Sequence, residues 1–226
     1  MFELSPRLQA AFEYVEYGAA VADIGTDHAF LPVALVKSGK VRNAIACDIN
    51  EKPLANAKKT LELVGLKNDI SLRLSDGLSE VCENEVDTVI IAGMGGEVIS
   101  GIIDRTKWLK NNKHLILQPM TCPEEVRKYL SENGFEILSE TAVSDAGKVY
   151  AVISARYSGA PKKCDFAYYV TGKIDAKTEG GRKYLKKQLR RFSALSHDLC
   201  NIPEKTEEKE QADSVVLKIN RLLEEH

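Results

Sequence analysis

Asp23-Ile24-Gly25-Thr26-Asp27-His28-Ala29-Phe30-Leu31-Pro32 is the stretch on which the reading of this chain turns. It follows the apolar run Ala19-Ala20-Val21-Ala22, which reads as a short buried strand, and it opens a helix over residues 30–37 that stops near Gly39. A glycine turn between the carboxyl end of a first strand and a helix is where open α/β sheets bind nucleotide-like ligands. Gly25 lets the backbone approach such a ligand closely. The turn lacks the dinucleotide fingerprint, because Asp27 stands where the second glycine of G-x-G-x-x-G would fall, and a carboxylate facing a pyrophosphate is repulsive. The chain has no G-x-x-x-x-G-K-[ST] loop. The spacing Asp23, Gly25, Asp27 is shared with calcium loops, but position twelve falls on Ala34, not on the bidentate Glu such a loop needs. An acidic glycine turn suits a cation.

Working outward, strand-like and helix-like stretches alternate. Ser5-Pro6 caps a first helix running to about Tyr17. Strands are expected at 43–49, 70–74, 87–92 and 115–117, with helices at 52–64, closed by Gly65, and from 96, and at 123–133, ended by Gly134. Repeated βα units imply a parallel sheet covered on both faces. Residues 135–143 and 149–157 then read as two strands joined by the short loop 144–148. The fold class is therefore α/β; a parallel sheet finished by an antiparallel hairpin is the arrangement expected of a Rossmann-like class I methyltransferase sheet, and other α/β folds also carry an antiparallel edge strand. Residues 158–163 read as a linker, which divides the chain into 1–158 and 159–226. Beyond it Leu185, Leu189, Phe192, Leu195 and Leu199 form one helical stripe, Asn201-Ile202-Pro203 a break, and Ala212, Val215, Val216, Ile219, Leu222 and Leu223 a second stripe. The tail reads as a helical hairpin with coiled-coil-like packing.

The chain has 226 residues, 44% hydrophobic and 28% charged, with a net charge of -2. That average hides a division. Residues 1–157 hold 17 Lys and Arg against 22 Asp and Glu, whereas 162–191 hold 10 against 3. A basic helical segment is the electrostatic footprint of a phosphate-backbone surface, here centred on Lys183, Lys186, Lys187, Arg190 and Arg191. Five dispersed cysteines without a CxxC pair argue against a disulfide scaffold or zinc ribbon and read as buried reduced thiols. Four scattered histidines give no metal-ligand spacing, so no metal is expected. No signal peptide or apolar span is visible, so a cytoplasmic protein with no membrane association is expected, a monomer or weak dimer.

Acids recur where strands end. Asp48, in Cys47-Asp48-Ile49-Asn50, lies 23 residues beyond Gly25, about where an acid meets ribose hydroxyls. Asp76, in Ser75-Asp76-Gly77, closes the third strand and can accept from an adenine amino group. Ala92-Gly93-Met94-Gly95-Gly96 suits a backbone bending around a ligand, with Met94 as core or lining. S-adenosylmethionine, with its sulfonium, ammonium, ribose and adenine, matches this set. Asp23, Gly25, Asp48, Ile49, Asp76, Gly77, Gly93 and Met94 are its expected binding residues.

The chain resembles the bacterial tRNA adenine-N1 methyltransferases acting at position 22, over about residues 3–157. The matching segments are Leu4-Ser5-Pro6-Arg7-Leu8, residues 23–32, Ala44-Ile45-Ala46, Asp76-Gly77-Leu78, residues 91–96, Leu115-Ile116-Leu117-Gln118-Pro119 and Ala146-Gly147-Lys148. The resemblance implies methyl transfer from S-adenosylmethionine to adenine N1 in tRNA, and a coiled-coil tail that helps grip the RNA. Relatives continue Leu-Gln-Pro with Asn, where this chain has Met120, which has no amide to donate; the acid after the second strand is usually Glu there and is Asp48 here.

Adenine N1 needs no deprotonation before it attacks, and the ring becomes cationic as it is methylated. Asp27 is the expected catalytic carboxylate for stabilising that charge or taking a proton, a role the resemblance also implies. His28 and Arg7 are expected near the substrate, Arg7 on a phosphate or closing the cofactor pocket. Two alternatives stand at this point: a methyltransferase for another RNA, a protein or a small molecule, and a non-catalytic RNA-binding relative.

Overall fold

The computed structural model describes residues 3–200 and 202–225. Strands β1 (Ala19–Ile24), β2 (Val41–Asp48), β3 (Ile70–Leu74), β4 (Thr88–Gly95), β5 (His114–Thr121), β6 (Phe135–Asp145) and β7 (Lys148–Tyr157) form one sheet in the order β3-β2-β1-β4-β5-β7-β6. The first five strands are parallel; β7 runs antiparallel to both β5 and β6. The helices are α1 (Pro6–Tyr14), α2 (Phe30–Lys37), α3 (Glu51–Val64), α4 (Gly96–Arg105), α5 (Pro123–Glu132), α6 (Phe166–Thr171), α7 (Glu179–Leu199) and α8 (Thr206–Glu224).

Two-residue alternation sorts the core into layers. Val89, Ile91, Leu115 and Leu117 face Ile99, Ile102 and Ile103 of α4 and Val126 and Leu130 of α5. Ile90 and Ile116 face the other way, onto Ala11 of α1, Leu31 and Leu35 of α2 and Ala57 and Leu61 of α3. The strand order reverses between β1 and β4, so the crevice at their carboxyl ends is the expected ligand site of an α/β sheet.

Several boundaries differ from the sequence expectation, each for a physical reason. Helix α1 stops at Tyr14, three residues short of Tyr17. Lys40 Nζ takes the carbonyls of Phe12 and Glu13, at 2.9 and 3.3 Å, and residues 15–18 turn the chain into β1. Strand β4 continues through the glycines to Gly95, and β5 continues through Pro119 to Thr121. Pro119 is tolerated because β5 pairs with β7 only as far as Leu117, leaving no partner for the missing N–H on that side. The loop expected over 144–148 shrinks to Ala146-Gly147, with φ of 47° and 74°, a two-residue turn of the primed type.

The tail also differs. Helix α6 was not expected; Asp165 caps it, its carboxylate accepting from Tyr168 N at 2.5 Å. Helices α7 and α8 pack on each other as the expected hairpin, and with α6 they share an apolar core with Ala142, Val149 and Ala151 of the β6–β7 hairpin, so the tail is three helices seated on the sheet edge. Asn201, in the expected break, lies outside the described residues. Of the cysteines, only Cys47 is buried, where burial pushes its thiol up to about 12; Cys82, Cys122 and Cys200 are exposed, correcting the reading of all five as buried.

Candidate active site

The carboxyl ends of β1 and β2 carry Asp23 and Asp48. Asp23 is buried, and burial raises its carboxyl to about 6, partly offset by a hydrogen bond from Thr26. No basic side chain pairs with Asp23 among the described residues. After it the chain turns sharply: Gly25 has φ 79°, and the N–H groups of Gly25 and Thr26 both donate to the Cys47 carbonyl, at 2.8 and 2.9 Å. A Cβ on Gly25 would run into the Met94 methyl, so the two expected lining residues lie against each other. Asp48 accepts from Asn50 N at 2.8 Å, holding the β2–α3 turn, and leaves the apolar side chain of Ile49 59% exposed beside it.

The third acid is placed differently. Asp76 is paired with Arg105 of α4, Nη2 to Oδ1 at 3.1 Å, with both side chains more than half exposed. Gly77 (φ 61°) packs against Ile102, and Gly93 (φ 84°) bends β4 with its bare Cα towards the Arg7 guanidinium.

Asp27 stands at the mouth of the turn. His28 Nε2 is 3.5 Å from Asp27 Oδ2, and Asn56 Nδ2 of α3 donates to Asp27 Oδ1 at 3.5 Å. His28 stacks on Phe30 with ring centroids 5.0 Å apart and planes 7° apart, which fixes the imidazole beside the carboxylate. Asn56 was not singled out in the sequence; only the packing of α3 beside the turn reveals it.

Arg7, expected on a phosphate or the cofactor, is committed within the protein. Its Nε is 3.1 Å from Asp145 Oδ2, and its Nη1 donates to Gln118 Oε1 at 3.2 Å.

The basic residues divide. Leu117 of β5 pairs with Ile153 of the antiparallel β7, so the start of β7 lies at the same sheet edge as the acids. There Ser144, Gly147, Lys148 and Val149 meet Lys183, Lys186, Lys187 and Arg190 of α7 around a cleft of about 440 Å³. Lys183 also pairs with Glu179 at 2.6 Å. Arg191 turns away, pairing with Glu124 of α5 at 2.9 Å. Lys148, to which the sequence reading gave no RNA role, completes the cleft because the hairpin folds back onto α7. Among the described residues no group of three or more His, Cys, Asp or Glu side chains is placed to hold a metal, and no helix is long and apolar enough to cross a membrane.

The family model described as a methyltransferase domain matches residues 4–153. The tRNA (adenine(22)-N(1))-methyltransferase of Bacillus subtilis (strain 168) is 40% identical over 154 residues, which are 68% of this chain and 65% of that protein. The chain spans 60% to 65% of the length of this and two further curated relatives from Mycoplasma. Among solved structures, the B. subtilis M1A22 tRNA methyltransferase TrmK superposes with a TM-score of 0.82 at 31% identity, covering 100% of this chain and 99% of that one. Streptococcus pneumoniae Sp1610, a candidate tRNA (m1A22) methyltransferase in complex with S-adenosyl-L-methionine, superposes with a TM-score of 0.81 at 32% identity, covering 96% and 98%. The likeness to these structures runs through the helical tail as well as the sheet, and on it the chain belongs to the family of tRNA (adenine(22)-N(1))-methyltransferases, within the wider methyltransferase-domain family.

Proposed function

We propose that this protein transfers a methyl group from S-adenosylmethionine to N1 of adenine 22 in tRNA. The observation that carries this is the placement of two opposed surfaces on one sheet edge: the acidic glycine turn at β1 and β2, and the basic cleft between Lys148 and α7. Residues 1–158 are the methyl-transfer unit and 159–226, with the hairpin, the grip on RNA. The protein works in the cytoplasm, where tRNA is, as a monomer or weak dimer and without a metal.

The residues fit the cofactor. Asp23 is a buried carboxylate with no basic side chain paired to it among the described residues, which suits an ammonium group. Asp48 offers a free carboxylate oxygen to ribose hydroxyls, and Ile49 an apolar face to a heterocycle. Gly25, bare of a side chain, lets the Met94 methyl lie over the turn as cofactor lining, Gly93 gives β4 its bend beside it, and Asp76 with Gly77 borders the adenine end. Bound S-adenosylmethionine supplies an electrophilic methyl group on a positive sulfonium. Asp27, oriented by His28 and Asn56, faces the mouth and stabilises the positive charge that adenine gains at N1 and its exocyclic amine. Lys148, Lys186, Lys187 and Arg190 hold the phosphate backbone, so that a base extruded from the tRNA stack can reach Asp27.

The test uses unmodified tRNA and labelled S-adenosylmethionine, followed by nucleoside analysis. Label in 1-methyladenosine at position 22, absent with an adenine-22→guanine tRNA, is the expected result. No 1-methyladenosine with any adenine-22 tRNA overturns the substrate, and label in another nucleoside or in protein moves the activity to a different acceptor.

A further inference from the structure

Three side chains far apart in sequence meet above the ends of β4 and β5. Arg7 lies on the first turn of α1, Gln118 near the end of β5 and Asp145 at the end of β6. The guanidinium bridges the other two, Nε to the Asp145 carboxylate at 3.1 Å and Nη1 to the Gln118 side-chain oxygen at 3.2 Å. We propose that Asp145, Arg7 and Gln118 form a positioning relay tying the RNA-gripping hairpin to the wall of the base site, with Arg7 as its central positioning residue. The proposal rests on the methyl-transfer reading above.

At the inner end, Gln118 is fully buried, so both ends of its amide must be satisfied. Arg7 offers only donors and therefore dictates that the amide oxygen faces it. The amide nitrogen is then turned onto the Pro119 carbonyl, at 2.9 Å, and towards Met120 Sδ, at 3.8 Å. This holds the Pro119–Thr121 backbone in place where the β4–β5 register is irregular and β7 no longer supports β5. Beneath the guanidinium, Gly93 leaves the room it needs: a Cβ there would sit 3.2 Å from Arg7 Nη1. Arg7 thus lies over the Gly93 backbone and, through Gln118, holds the strand end beside it.

At the outer end, Asp145 is the last residue before the two-residue turn and pairs in register with Lys148. Lys148 lines the basic cleft. RNA held in that cleft therefore braces the hairpin, the hairpin carries Asp145, and Asp145 holds Arg7. The charge of Arg7 is already met by a carboxylate of which only 14% is exposed, which makes it a poor phosphate ligand. The forked guanidinium reaches two acceptors in different directions, which a lysine ammonium on a single stem cannot do at the same distances.

The variants are Arg7→Met, Arg7→Lys, Asp145→Asn, Gln118→Leu and the double Arg7→Met/Asp145→Asn. Each is measured for single-turnover rate at saturating tRNA, tRNA affinity by filter binding, S-adenosylmethionine affinity by calorimetry, and melting temperature. The expected result is a rate loss of about tenfold to hundredfold with Arg7→Met, because a displaced wall misaligns the base, and both affinities within about threefold of wild type. Arg7→Lys recovers part of the rate, and the double variant is no slower than its slower parent. Weaker tRNA affinity with an unchanged rate makes Arg7 a phosphate contact and overturns the relay, as do single effects that multiply in the double. If Arg7→Met does not fold, Arg7→Lys and Asp145→Asn, which preserve the packing, carry the same readouts. Wild-type enzyme that forms no 1-methyladenosine overturns the functional reading and the relay with it, whereas active wild type with unaffected variants overturns the relay alone.

Discussion

Asp23 is a carboxylate placed where water cannot solvate it, with its pKa raised to about 6 from 3.8 by burial. A raised carboxyl means that the folded protein holds its proton more tightly than the unfolded chain does. The associated stability is present below about pH 4 and is lost as pH rises through 6, at a cost of about 3 kcal/mol in the cofactor-free protein. Asp23→Asn should therefore raise the cofactor-free melting temperature at pH 8 and leave it unchanged at pH 4, as scanning calorimetry can check. Because a cation needs the ionised form, affinity for S-adenosylmethionine should rise with pH up to about 6 and level off above 7, and the Asn variant should lose both the affinity and the slope. Asp27→Ala should lower turnover by roughly 10²- to 10⁴-fold while cofactor affinity stays measurable in a binding titration. Asp23, Asp48 and Asp27 were legible in the sequence because each ends a strand or opens a turn, a local fact. Asn56 was not, because α3 brings it to Asp27 from 29 residues away.

The β6–β7 hairpin and the helices on it show how one element serves two surfaces. Arg127 of α5 and Glu140 of β6 pair at 2.7 Å, both fully buried, and Arg127 also donates to the carbonyls of Tyr169 and Val170 at the end of α6. This clamp holds the tail to the sheet. Removing one partner leaves an uncompensated buried charge, so Arg127→Met should cost about 3–5 kcal/mol in urea denaturation, and Arg127→Met/Glu140→Leu less. At the other end of the hairpin, Ala146 sits at φ 47°, a conformation that Asn adopts more readily. Ala146→Asn, giving Asn-Gly, should stabilise the protein by about 0.5–1 kcal/mol in the same measurement. The sequence announced the hairpin by its two alternating runs, but not the length of its turn. Asp145 and Lys148 continue the ladder, which only the pairing with the partner strand reveals.

At the scale of the whole molecule, charge separates the acidic glycine turn from the basic cleft, and the sheet edge brings them together. Binding of tRNA should weaken with salt, and Lys187→Ala or Arg190→Ala should each flatten the slope of log affinity against log salt by about 0.7–0.9, in filter binding across a salt series. Removal of 159–226 is a poor substitute for such variants, because it strips cover from Ala142, Val149 and the Arg127–Glu140 pair. The sequence by itself determined the α/β alternation, the acidic glycine turn and the basic segment. Each of these is written in neighbouring residues, as a period, a turn residue or a local charge excess. Only the tertiary structure decided that Arg7 faces Asp145 and Gln118, that Arg191 leaves the basic cleft while Lys148 joins it, and that the tail shares its core with the hairpin. Arg7 and Arg191 reach partners 67 to 138 positions away and Lys148 reaches α7 across 35 or more, and at such separations partners are selected by packing and strand register, which local pattern does not encode.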